Sequence, residues 1–169
     1  MTITHRDFVY GTWTSTYSNS NDFNGDPRGS YSMVKNDLIP VLNHPRIDSI
    51  PEVKAINLLY YCISAQEMAD LSGPFTYFEN KKNIENPSVY NTVEVIYKGI
   101  VQNLDTIVAC LRYHETRPNW YKERVRDILM SFNETNRDLY SGGYTGMTTY
   151  IKLANSLKLR MAMHIVKVN

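Results

Sequence analysis

Several stretches carry residue types and spacings that could do chemistry. Glu67 and Asp70 stand three apart, which places both carboxylates on one face of a helix and would suit an acid/base pair. Carboxylates at that spacing are more often solvated, and near a helix C-terminus they oppose the macrodipole. His114-Glu115 has the composition of a proton shuttle, yet a histidine at a helix end is more simply a partner of the dipole. Gly142-Gly143-Tyr144-Thr145-Gly146 precedes a helical pattern but lacks the Lys-Ser/Thr that a phosphate-cradling loop needs, so a turn explains it. The four histidines (His5, His44, His114, His164) are scattered without ligand spacing, and no metal site is expected. No Ser-His-Asp order and no Gly-x-Ser-x-Gly elbow occurs. The expectation is a chain that is not an enzyme and uses no cofactor.

Aromatic residues are the other chemical resource: thirteen tyrosines and two tryptophans. Aromatic faces stack on sugar rings or nucleobases while neighbouring Asn, Asp and Arg supply directional hydrogen bonds. Tyr60, Tyr97 and Phe132 fall at core positions. Trp13, Tyr17, Tyr31, Tyr77, Tyr113, Tyr140 and Tyr144 read as loop residues from which a platform could be built. Sequence does not say which of them converge, so the ligand-binding residues stay unassigned.

Charge narrows the partners. Eighteen Lys and Arg against seventeen Asp and Glu give a net charge of +1, with no basic stripe, so no nucleic-acid partner is expected. Hydrophobic residues at 43% and charged residues at 21% match an ordinary globular composition. Cys62 and Cys110 both sit in apolar, helical neighbourhoods and read as small buried thiols; whether they pair is left open. Residues Met1 to Asn24 are polar, without the apolar core of a signal peptide and without a cysteine to carry a lipid.

The elements that must position these groups are helical. Thr12 to Ser32 is an irregular stretch of turn formers, and Met33 to Leu42 is a short helical candidate interrupted by Pro40. Ser49-Ile50-Pro51-Glu52 fits a capping box, followed by Val53, Ile56, Tyr60, Ile63 and Met68 until Gly73-Pro74 ends the run. Asn91, with Glu94 at the third position, can cap a second helix. Its apolar residues Val93, Ile96, Tyr97, Ile100, Leu104, Ile107, Val108 and Leu111 recur at steps of three and four. A weaker helix opens at Pro118-Asn119 and runs from Trp120 to Phe132. The last takes Met147, Tyr150, Ala154, Leu157, Met161, Ile165 and Val168 on one face. No apolar pattern with a period of two appears. The predicted class is all-α, in one domain over 1–169, with an irregular arm at 1–32 and helical hairpins over 33–168.

Two stretches are more specific than generic helix. Ala69-Asp70-Leu71-Ser72-Gly73-Pro74-Phe75-Thr76-Tyr77-Phe78-Glu79 resembles the Thr-Asp-Leu-Tyr-Gly-Asp-Ile-Pro-Tyr-Ser-Glu signature of the SusD/RagB family, with Asp70, Leu71, Gly73, Tyr77 and Glu79 matching. The run from Tyr150 to Ile165 resembles that family's Trp-Ile-Lys-Phe-Ala-Asn-Ser-Leu-Arg-Leu-Arg-Leu-Ala-Met-Arg-Ile helix, including Asn155, Ser156 and Arg160. Ile96-Tyr97, Leu104-Asp105 and the turn from Asp138 to Gly143 stand between them in the family's order. The resemblance covers about Trp13 to Val168.

It implies a tetratricopeptide-like α-solenoid, here a partial SusD-like fold, and a non-catalytic nutrient-binding lipoprotein on the outer face of a Bacteroidetes outer membrane. Oligosaccharide or peptide would be the ligand, and a TonB-dependent transporter the partner. The alternative is a helical-repeat scaffold that contacts protein and no glycan. Asp70, Gly73, Tyr77, Glu79, Asn155, Ser156 and Arg160 are expected to be structural: Asp70 by accepting amides of the turn that Gly73 permits, Asn155 and Ser156 by side-chain bonds to a neighbour, and Arg160 by gripping a carboxylate. The chain reads as the amino-terminal helical portion of a longer protein or as a shortened paralogue, so its last apolar stripe is expected to drive self-association.

Overall fold

A computed structural model describes residues 37–84, 87–131 and 146–166. These residues form α1 (Pro51–Ser72), the short α2 (Tyr77–Lys81), α3 (Val93–His114), α4 (Asn119–Ser131) and α5 (Met147–Val166). A helical segment at 37–42 and a 3-10 turn, Ile47–Ser49, precede them. Among the described residues there is no strand, only an isolated antiparallel bridge between Phe75 and Asn91. The all-α expectation is met. The irregular arm, residues 33–36, Phe132 and the turn at Asp138–Gly143 lie outside the described residues.

α1 is the central helix. It buries Ala55, Ile56, Leu58, Leu59, Tyr61, Cys62, Ala65 and Ala69, which at 100° per residue cover most of its circumference. The sequence pattern of Val53, Ile56, Tyr60 and Ile63 follows only one edge of that surface: Val53, Tyr60 and Ile63 are half-buried. A helix covered on nearly every side has no sharp apolar stripe to read. α3 does have one. Ile96, Ile100, Leu104, Ile107 and Leu111 are buried along it and pack chiefly on α1. α5 lays Met147, Tyr150, Ala154, Leu157 and Met161 mainly against α3, touching α1 more lightly.

The helix starts differ from the sequence expectation. α1 is preceded by Ile50, with no side-chain cap, and Pro51 supplies the first turn with a φ already suited to it. Glu52 therefore does not close a capping box; its side chain turns inward. α3 is capped by Thr92, whose hydroxyl accepts the Val95 N–H at 3.4 Å. Asn91 instead accepts the Phe78 N–H at 3.2 Å and sends its own N–H to the Phe75 carbonyl, tying α2 to the start of α3. Pro40 lies within the helical segment 37–42, whose Ile39 and Leu42 are buried.

Cys62 and Cys110 are free thiols. Complete burial pushes the Cys62 thiol up to about 12, so it behaves as a core residue.

Candidate functional site

The two sequence motifs meet in space. Asp70, in the last turn of α1, receives hydrogen bonds from Gln66 Nε2 one turn earlier and from the Tyr97 hydroxyl of α3. Gln66 is fully buried, and its Oε1 accepts from Arg160 Nη2 of α5. His164, one turn beyond Arg160, brings Nδ1 to 3.3 Å from Asp70 Oδ2 and 3.4 Å from the Tyr97 hydroxyl. Arg160 also lies 3.9 Å from Glu67 Oε1. One carboxylate and one amide thus join three helices. α1 and α5 contribute through i, i+4 neighbours, Gln66 with Asp70 and Arg160 with His164, and α3 contributes Tyr97 alone. Burial, with the bond to Asp70 added, pushes the Tyr97 hydroxyl up to about 12. It stays protonated, a donor to the carboxylate.

The rest of the first motif serves the junction between α1 and α3. Gly73 ends α1 at φ +75°, a left-handed conformation that disfavours a side chain. The turn lets Tyr77 insert into the core, where it is fully buried. Its ring stacks on Tyr61 at 5.4 Å, its carbonyl accepts the Tyr61 hydroxyl at 2.8 Å, and its own hydroxyl accepts Asn103 Nδ2 at 2.7 Å. Tyr77 and Phe78 press so close to α3 that a Cβ on Gly99 would sit 3.0 Å from both rings. Glu79 Oε2 accepts the backbone N–H groups of Ser88 and Val89 at 2.6 and 2.7 Å, fastening the connection that leads into α3.

A family model described as "SusD-like: Susd and RagB outer membrane lipoprotein" matches residues 2–169. The chain belongs to the SusD/RagB family. No curated protein and no solved structure matches it. Membership associates the chain with the outer membrane, and no helix among the described residues is long and apolar enough to cross one.

Within this SusD-like frame the other sequence candidates take definite places. Asp70 bonds to Gln66 and Tyr97 rather than to the amides of its turn, and Arg160 bonds an amide oxygen, with the Glu67 carboxylate at the edge of reach. Asn155 and Ser156 lie on the exposed side of α5, and neither side chain has a hydrogen bond among the described residues. Ser156 lines a shallow groove of about 150 Å³ with Ile63, Glu67, Leu153, Leu157 and Arg160. Glu67 and Asp70 face different residues of α5, Glu67 facing Arg160 at 3.9 Å and Asp70 facing His164 at 3.3 Å. Of the loop aromatics, Tyr77 is core, Tyr113 is exposed on the last turn of α3, and Trp13, Tyr17, Tyr31, Tyr140 and Tyr144 fall outside the described residues.

A second polar cluster has no signature in the sequence. Glu52 and His114, 1% and 2% exposed, meet with Oε1 and Nδ1 2.8 Å apart, and the Tyr121 hydroxyl of α4 donates to Glu52 Oε2 at 2.9 Å. Burial and the bond to Glu52 push the Tyr121 hydroxyl up. His114 is thus a core partner of Glu52 and not a solvent-facing shuttle. Among the described residues no group of three or more His, Cys, Asp and Glu is placed to hold a metal.

Proposed function

We propose that this chain is a non-catalytic SusD-like module that binds oligosaccharide, or another nutrient such as peptide, at the outer face of the outer membrane beside a TonB-dependent transporter. The observation that carries this reading is the family match over residues 2–169. The motif residues Asp70, Gly73, Tyr77, Glu79 and Arg160 support it by serving helix-to-helix fastening, as a scaffold of tetratricopeptide-like hairpins requires. On this reading they hold the solenoid and the ligand is met elsewhere. Isothermal titration of the full gene product against a panel of oligosaccharides and peptides tests it. Saturable heat with at least one class is expected, and flat traces across the panel overturn it.

A protein-interaction scaffold without glycan binding is the second reading. It is favoured by the exposed apolar residues Leu71, Phe78, Ile84, Val89, Tyr90 and Val95, gathered from the end of α1 to the start of α3. Recovery of a partner other than a transporter, lost when Tyr90 and Val89 are changed to Ser, would favour it.

A further inference from the structure

The corner between α3 and α4 carries an aromatic surface with a cation at its centre. The Arg117 guanidinium lies 4.9 Å over the Tyr113 ring and 4.7 Å over the Tyr121 ring. Trp120 meets Tyr121 edge-on at 5.8 Å, so Tyr113, Arg117, Tyr121 and Trp120 form a connected run of contacts from the last turn of α3 to the first turn of α4. Tyr113 is 59% exposed and Trp120 70% exposed. Exposed aromatic faces such as these are available to stack on an incoming ring.

Arg117 has unused capacity. It makes no ion pair with a described residue; its Nε–H is enclosed without an acceptor, so an incoming anion would meet the terminal amino groups of the guanidinium. The nearby carboxylate, Glu52, is already committed to His114 and Tyr121. Residues 112 to 122 add Arg112 and Lys122 against the single acid Glu115, and Lys122 Nζ holds the Glu115 carbonyl at 2.6 Å. A planar guanidinium without a carboxylate partner, between rings, suits an anion that is itself planar and attached to a ring.

We propose, on the nutrient-binding reading above, that the Tyr113–Arg117–Trp120 corner binds a saccharide bearing a carboxylate, with the sugar face on the aromatic rings and the carboxylate on Arg117. Trigalacturonic acid and its methyl ester are the probes, because esterification removes the negative charge and adds only a methyl group to each carboxyl. Isothermal titration of the full chain is expected to give binding of the acid about tenfold or more tighter than the ester, the size of one charge-assisted hydrogen bond. Arg117→Gln should abolish that difference, and Trp120→Ala should weaken both ligands. Trp120 is exposed, so its variant should keep the wild-type fold by circular dichroism. Equal binding of acid and ester, unchanged in both variants, would overturn the corner as a carboxylate site while leaving nutrient binding intact. Absence of binding by these and by every saccharide and peptide of the wider panel would overturn both.

Discussion

α1 is fastened by a carboxylate near each end, and the two fastenings are built differently. At its start Glu52 is sealed from water with His114, and Tyr121 completes the set from α4. At its end Asp70 is part-exposed and shares its two oxygens among Gln66, Tyr97 and His164, with Arg160 attached through the Gln66 amide. The sealed pair concentrates its effect in one contact, because a charge left alone in the core has no water to replace its partner. The open network spreads its effect over several groups that solvent partly reaches, so each deletion costs less. The family motifs supply two members of the open network, Asp70 and Arg160.

The sealed end should be the more sensitive to substitution. Glu52→Ala removes the buried carboxylate that His114 and Tyr121 share, and is expected to lower unfolding free energy by about 3–5 kcal/mol in urea denaturation. Asp70→Ala should cost less, about 1–3 kcal/mol, because Gln66 loses one acceptor while Arg160 keeps its bond to the amide oxygen. Glu79→Ala releases the Ser88 and Val89 amides to solvent and should cost about 1 kcal/mol, read as faster hydrogen exchange confined to that connection.

Alkaline pH sharpens the contrast further. The Tyr97 hydroxyl is raised from its ordinary value of 10.0 to about 12 in the folded chain. A raised folded value means that its contribution is complete below pH 10 and is lost as pH climbs toward 12. Tyr97→Phe should therefore flatten the alkaline limb of the stability curve between those values. An unchanged slope would mean that Tyr97 does not sense Asp70 in solution.

Much of this was legible in the sequence. α3 and α5 each have one buried face, and their steps of three and four locate Ile100, Leu104, Leu157 and Met161 correctly. The phase of α1 was not legible, because a helix buried on most sides carries no stripe. Glu52 was hidden for a related reason: near a helix start a carboxylate satisfies local capping rules, and only the fold reveals that His114, sixty-two residues away, claims it. Asp70, Gly73 and Arg160 could be singled out from the motifs, but their partners could not. Gln66 and His164 had one available signal, their i, i+4 spacing from Asp70 and Arg160. Tyr97 looked like plain core, because its ring is buried while its hydroxyl alone takes part in the network.

Asp70 and Arg160 belong to one connected fastening across α1 and α5. A double-mutant cycle of Asp70→Asn and Arg160→Met, measured by urea denaturation, tests that connection most directly. Coupling through Gln66 predicts a non-additive term of about 0.5 kcal/mol or more. Strictly additive losses would mean that the two motifs stabilise their own helices separately and do not hold them together.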